Sequence, residues 1–179
     1  MNQSIIKTFF TSPHFANTRW SFPSAPPQPV TCNRGFVMPS SFDIQEMPIT
    51  ANSLRDESSL LKAVQNVHSV IDKEIATGVD PKNVFICGLS QGALTLGSVL
   101  LYPKTLDHTR CEKRTPILWF HGMADMTVLF EAGQAGPPFL QRAGINCEFK
   151  VYPDLGHSIS DEELQHMESW IISRLQSSA

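Results

Sequence analysis

Three observations predict an α/β fold with a mainly parallel sheet flanked by helices. Two short runs, VFIC at 84–87 and ILWF at 117–120, are wholly apolar, the composition of strands buried on both faces. Segments with helical periodicity lie between and around them, and Gly or Pro punctuates most of the junctions.

The first fifty residues are rich in turns. SAPPQPV at 24–30 cannot continue a helix, and CNRG at 32–35 reads as a tight turn with Gly35 at positive φ. Short strands are expected near Arg19–Phe22 and Phe36–Met38. Leu60, Val64, Val67, Ile71 and Ile75 are spaced by four, three, four and four, so a helix presents one apolar stripe and closes near Gly78. Asp80-Pro81 breaks the chain ahead of the strand 84–87, a second helix follows Ser90, and Tyr102-Pro103 ends it. DHTRCEKR at 107–114 is a polar link without periodicity. From Ile145 to Val151 apolar and polar residues alternate, which suits a strand near a sheet edge with one face exposed. Ser160 and Glu163 have capping-box spacing, and Leu164, Met167, Ile171 and Leu175 mark an amphipathic last helix.

A chain of 179 residues with 41% hydrophobic and 17% charged residues suits one domain over 1–179 with a single core. The formal charge of -3 offers no positive field for phosphate backbones or anionic lipid, which argues against nucleic acid as a partner. No stretch approaches a membrane span, and the start, MNQSIIKTFF, lacks the apolar run of a secretory signal, so no stable membrane insertion is expected. Cys32, Cys87, Cys111 and Cys147 show no CxxC spacing; four cysteines allow three pairings, and reduced thiols in a cytoplasmic protein are expected.

The chemistry centres on Gly88-Leu89-Ser90-Gln91-Gly92. A serine hydroxyl is a weak nucleophile unless a base takes its proton and the side chain projects into a reachable site. In G-x-S-x-G the glycines permit a strained strand-to-helix elbow with the serine at its apex. Five residues chosen by chance match this pattern too often for it to stand alone, but here an apolar strand precedes it and a helical pattern follows. Asp125, in HGMAD after the run 117–120, and His157, in Gly156-His157 after the alternating run, follow in the order Ser, Asp, His. All three fall at carboxyl ends of strands, where parallel sheets bind ligands. In this reading Ser90 is the nucleophile, His157 its base, Asp125 orients the imidazole, and the Gln91 backbone N–H donates to the oxyanion. His121 reads as structural, its ring bonded to nearby backbone, and His68 as a partly buried helix residue. A metal site from His157, Asp161 and His166 lacks a recognised ligand spacing; no metal or other cofactor is expected.

From IKTFFTSP through GLSQG and HGMAD to LGHSISDEEL the chain resembles the acyl-protein thioesterases, of the phospholipase/carboxylesterase branch of the α/β-hydrolases, most closely those of plants. The resemblance covers nearly the whole chain except DHTRCEKR. It implies a cytosolic, cofactor-free serine hydrolase acting on thioesters of S-acylated proteins and on lysophospholipid or short carboxyl esters. The catalytic residues it implies are again Ser90, Asp125 and His157.

The departures define a shortened member. Family members open with a strand and an HGLGD-like loop that supplies a second oxyanion N–H, and this chain starts after it. A Gly-rich segment and a central strand of the family are replaced between Leu106 and Thr115 by a few polar residues. The elbow reads GLSQGAL with one glycine fewer, Ser41 stands where the family carries tryptophan, and Gly136-Pro137-Pro138 is expected to interrupt a helix. The expected architecture is therefore α/β-hydrolase-like, lacking the N-terminal strand and one central strand. Weak activity follows, or an alternative role as a silent homologue that at most binds acyl groups or a protein partner.

Overall fold

Asp56 begins the first long helix by accepting the N–H groups of Ser58 and Ser59 on its carboxylate. The helix, α1, runs Glu57–Ala76 and is followed by Gly78 at φ +93. This computed structural model describes residues 8–53, 56–99 and 115–177. Tyr102-Pro103, DHTRCEKR and Cys111 lie outside them. Of the predicted stripe on α1, Leu60 and Val64 are buried, Val67 and Ile71 half-buried and Ile75 exposed, so burial fades toward the C-terminal end.

Ahead of α1, Pro27–Val30 (β1) and Phe36–Pro39 (β2) pair antiparallel as a hairpin. The turn between them carries Arg34 at φ 57 and Gly35 at φ 75, the left-handed conformation expected of CNRG. The other expected strand, Arg19–Phe22, is absent; Trp20 and Phe22 instead join Phe9, Phe10 and Phe15 in an aromatic cluster. Pro27 and Pro29 sit in β1, a placement open to proline only at a sheet edge, and a two-stranded hairpin is all edge.

Beyond α1 the chain turns through Pro81–Asn83 and reaches Val84–Cys87. The sequence predicts a buried parallel strand here. The segment belongs to no strand of the described residues, and Phe85 and Ile86 are 38% and 46% exposed. An apolar run becomes a strand only when neighbours satisfy its backbone, and no described strand lies beside it. Helix α2 follows, Gln91–Val99.

Ile117–Gly122 (β3) and Cys147–Tyr152 (β4) form the parallel pair, in register from Ile117 opposite Cys147 to Gly122 opposite Tyr152. Parallel strands need a crossover, supplied by α3, Phe130–Arg142. Gly136-Pro137-Pro138 does not interrupt this helix, contrary to expectation. Two backbone donors are lost, but Gly136 packs on the Trp119 ring and Leu140 is 2% exposed, so tertiary contact holds the turn. The last helix, α4, Asp161–Ser177, begins with both capping-box bonds in place: Glu163 N–H donates to Ser160 Oγ at 3.1 Å and Ser160 N–H to Glu163 Oε2 at 2.9 Å. Its Leu164, Met167 and Ile171 pack on the Phe10–Phe15 cluster.

A candidate hydrolase active site

Asp125 and His157 are brought together by the β3–β4 register. Gly122 and Tyr152 are partners at the ends of their strands, and the loops beyond are stitched by Met123 N–H to Tyr152 O and Ala124 N–H to Leu155 O. A side chain on Gly122 would collide with the Leu155 backbone, so glycine is required for the loops to meet. Asp125 lies three residues past one strand end and His157 five past the other. Their side chains meet, with His157 Nδ1 2.8 Å from Asp125 Oδ2. A carboxylate can only accept, so Nδ1 carries the proton and Nε2 of the neutral ring is left as the acceptor.

Asp125 is 6% exposed. Its Oδ1 accepts the N–H groups of Thr127 and Val128 at 2.8 and 2.9 Å. Burial pushes the carboxyl pKa up, but the hydrogen bonds from His157, Val128 and Thr127 outweigh it and hold the group below the ordinary carboxylate range. The site therefore keeps an anion beside the imidazole. His121 takes its expected structural part, with Nε2–H donating to Val128 O at 2.9 Å. Gly133 on α3 lies against its ring, closely enough that any side chain there would strike the imidazole.

Ser90 stands at φ +58 at the start of α2. A serine in this left-handed region costs on the order of 1–3 kcal/mol, and such residues persist where their surroundings over-determine them. Gly88 explains part of the constraint: a Cβ there would lie 2.5 Å from Gly92 C and 2.7 Å from Gly92 O, so the two limbs of the elbow touch through backbone. At Gly92 itself a Cβ would meet nothing within 4 Å, so that glycine is present for no crowding of its own. Among the described residues the Ser90 hydroxyl makes no hydrogen bond to His157, a contact that in ligand-free sites commonly tightens only with substrate. The Gln91 N–H is in the first turn of α2, where amides lack an intrahelical partner and carry the positive end of the helix dipole.

The Gln91 side chain makes contacts that sequence reasoning missed. Its Oε1 accepts Ser41 N–H at 3.1 Å, and its Nε2 donates to Ser40 Oγ and Phe42 O, both at 2.8 Å. The bond to position 41 uses backbone, so the exchange of tryptophan for Ser41 leaves it intact. No spacing rule joins residues 40–42 to residue 91; only the elbow motif marks Gln91. Of the residues weighed for a metal site, His157 bonds Asp125 and His166 Nε2 lies 3.4 Å from Glu148 Oε1. Cys32, Cys87 and Cys147 are free thiols. Burial pushes the Cys147 thiol up to about 11, so it is no ready nucleophile.

Comparison with known proteins gives a consistent picture. The chain is 62% identical over 193 residues to a probable carboxylesterase SOBER1-like protein of Arabidopsis thaliana, covering 97% of this chain and 74% of that one. It is 47% identical over 189 residues to a probable inactive carboxylesterase of Oryza sativa subsp. japonica, covering 95% and 77%. With an acyl-protein thioesterase 1 of Neurospora crassa it shares 32% identity over 181 residues, covering 88% and 74%. The crystal structure of Arabidopsis thaliana SOBER1 matches with a TM-score of 0.88 at 57% identity, covering 95% of this chain and 90% of that chain. The phospholipase/carboxylesterase profile matches in two pieces, residues 2–109 and 94–174. With most of its length matched, the chain belongs to the phospholipase/carboxylesterase family and has the α/β-hydrolase fold.

Proposed function

We propose that this protein is a serine hydrolase that cleaves acyl thioesters and carboxyl esters through Ser90, His157 and Asp125. The observation that carries the reading is the 2.8 Å bond from His157 Nδ1 to Asp125 Oδ2 beside adjacent strand ends, in a chain whose Ser90 has the backbone of a nucleophile elbow. In the proposed reaction Ser90 Oγ attacks the acyl carbon while its proton passes to His157 Nε2. The Asp125 carboxylate stabilises the imidazolium, and the Gln91 N–H donates to the oxyanion. His157 then gives the proton to the departing thiol or alcohol. Water, deprotonated by the same nitrogen, attacks the acyl-enzyme and releases the acid. None of these steps calls for a metal or cofactor. S-acylated proteins, lysophospholipids and small acyl esters are the substrate classes favoured by the thioesterase and carboxylesterase relatives, and free thiols at three cysteines favour a reducing, cytoplasmic setting. Among the described residues no helix is long and apolar enough to cross a membrane.

Hydrolysis of p-nitrophenyl acetate and of a palmitoyl thioester by wild type and Ser90→Ala tests the proposal. Loss of all enzymatic turnover, with unchanged circular dichroism, is expected. Activity surviving the substitution refutes the assignment. A second reading, a silent homologue that binds acyl groups or a partner, is favoured by the segment Val84–Cys87 ahead of the elbow, which pairs with no strand among the described residues. It predicts a folded protein with no turnover in either form.

A further inference from the structure

No strand among the described residues supports the elbow. Ser90 holds a left-handed conformation, yet the segment leading into it, Val84–Cys87, has no strand beside it among the described residues. We propose that the Gln91 side chain is a positioning residue, which holds Ser90 in its reactive place by tying the elbow to Ser40–Phe42. The proposal rests on the reading of Ser90 as nucleophile.

All three hydrogen bonds of the Gln91 amide end on that segment, on the Ser41 N–H, the Ser40 hydroxyl and the Phe42 carbonyl. The anchor is itself firm. Ser40 is 2% exposed; its Oγ donates to Phe42 O at 2.7 Å and its carbonyl accepts Gln28 Nε2 at 2.7 Å. Next along the chain, Asp43 accepts both the N–H and the hydroxyl of Thr31, and Ile44 O accepts Cys32 N–H. These bonds fasten the segment to the hairpin β1–β2. Farther on, Ile49 N–H donates to Thr127 O and Ile49 O accepts Leu129 N–H, on either side of the Val128 whose amide holds Asp125. Residues 40–49 thus form a strap attached at one end to the residue after the nucleophile and at the other to the loop of the acid. A neutral amide suits the near end, because it must accept from one group and donate to two others.

Gln91→Leu removes the three side-chain bonds and leaves the backbone N–H. The expected result is a fall of roughly tenfold to a hundredfold in the rate at which a fluorophosphonate modifies Ser90, with the same stoichiometric endpoint as wild type, since a small misplacement slows attack without emptying the site. Ser40→Ala, which takes away one acceptor, is expected to give a smaller fall. Hydrogen exchange should quicken at 40–42 and 89–93 and stay unchanged in β3 and β4. A Gln91→Leu protein that reacts as fast as wild type overturns the proposal. So does one whose endpoint falls along with its melting temperature, because that is the mark of lost fold rather than lost position. If wild type itself fails to react, the hydrolase reading is lost and exchange decides the rest: unchanged exchange at 89–93 overturns the strap, and faster exchange there supports it.

Discussion

Asp125 is the residue on which the site's electrostatics turn. Its two oxygens are saturated by Thr127, Val128 and His157, and its pKa is depressed. A carboxyl with a lowered folded-state pKa stabilises the protein fully above its unfolded value, about 3.9, and loses that contribution as pH falls through the folded value. Asp125→Asn is therefore expected to melt below wild type at neutral pH, with the gap closing as pH is taken below about 4. A gap that stays constant in acid contradicts the depressed pKa. The same variant should lower kcat by about 10⁴, because an amide that donates to Nδ1 forces the proton onto Nε2. Legibility differs sharply at this scale. Ser90, Asp125 and His157 were marked by motif and order alone, whereas the amides that hold Asp125 and the clamp formed by Gln91 depend on which backbone comes near, which no residue type records.

Among elements, the parallel pair β3–β4 sets the distance between Asp125 and His157. Glycine at 122 lets the loop ahead of Asp125 pass against Leu155 in the loop ahead of His157. Gly122→Ala is expected to part the loops, lowering stability by about 1–3 kcal/mol through overpacking and activity by more than that loss explains. Thermal melts and turnover at a temperature well below the melt would measure the two; an unchanged kcat would show that the loops accommodate a methyl. Helices α1 and α4 and strand β4 were readable because each carries its own period, cap or alternation. Helix α3 was misread: the two prolines are unfavourable locally, and only the contacts of Gly136 with Trp119 and the burial of Leu140 keep it whole.

For the molecule as a whole, the decisive feature is that no strand among the described residues pairs with Val84–Cys87. The apolar run has strand composition, but a strand is a property of a pair, and the single sequence carries no sign of whether the neighbour is there. Phe85, Ile86 and Leu89 are left more than a third exposed, and with them a surface able to recruit other chains. Replacing Ile86 with Thr is expected to reduce concentration-dependent light scattering of the purified protein; unchanged scattering would place the association surface elsewhere. The TM-score of 0.88 to SOBER1 gives the frame of the fold as that of a longer relative. What this chain must achieve is to hold the elbow in register with that frame.

The most direct test of the central claim, that Ser90 is an activated nucleophile, is to incubate the folded protein with a fluorophosphonate and map the adduct by mass spectrometry. One adduct on Ser90, absent from Ser90→Ala and formed far more slowly in His157→Ala, is the predicted result. A folded protein that takes up no reagent, or takes it up at another residue, contradicts the account.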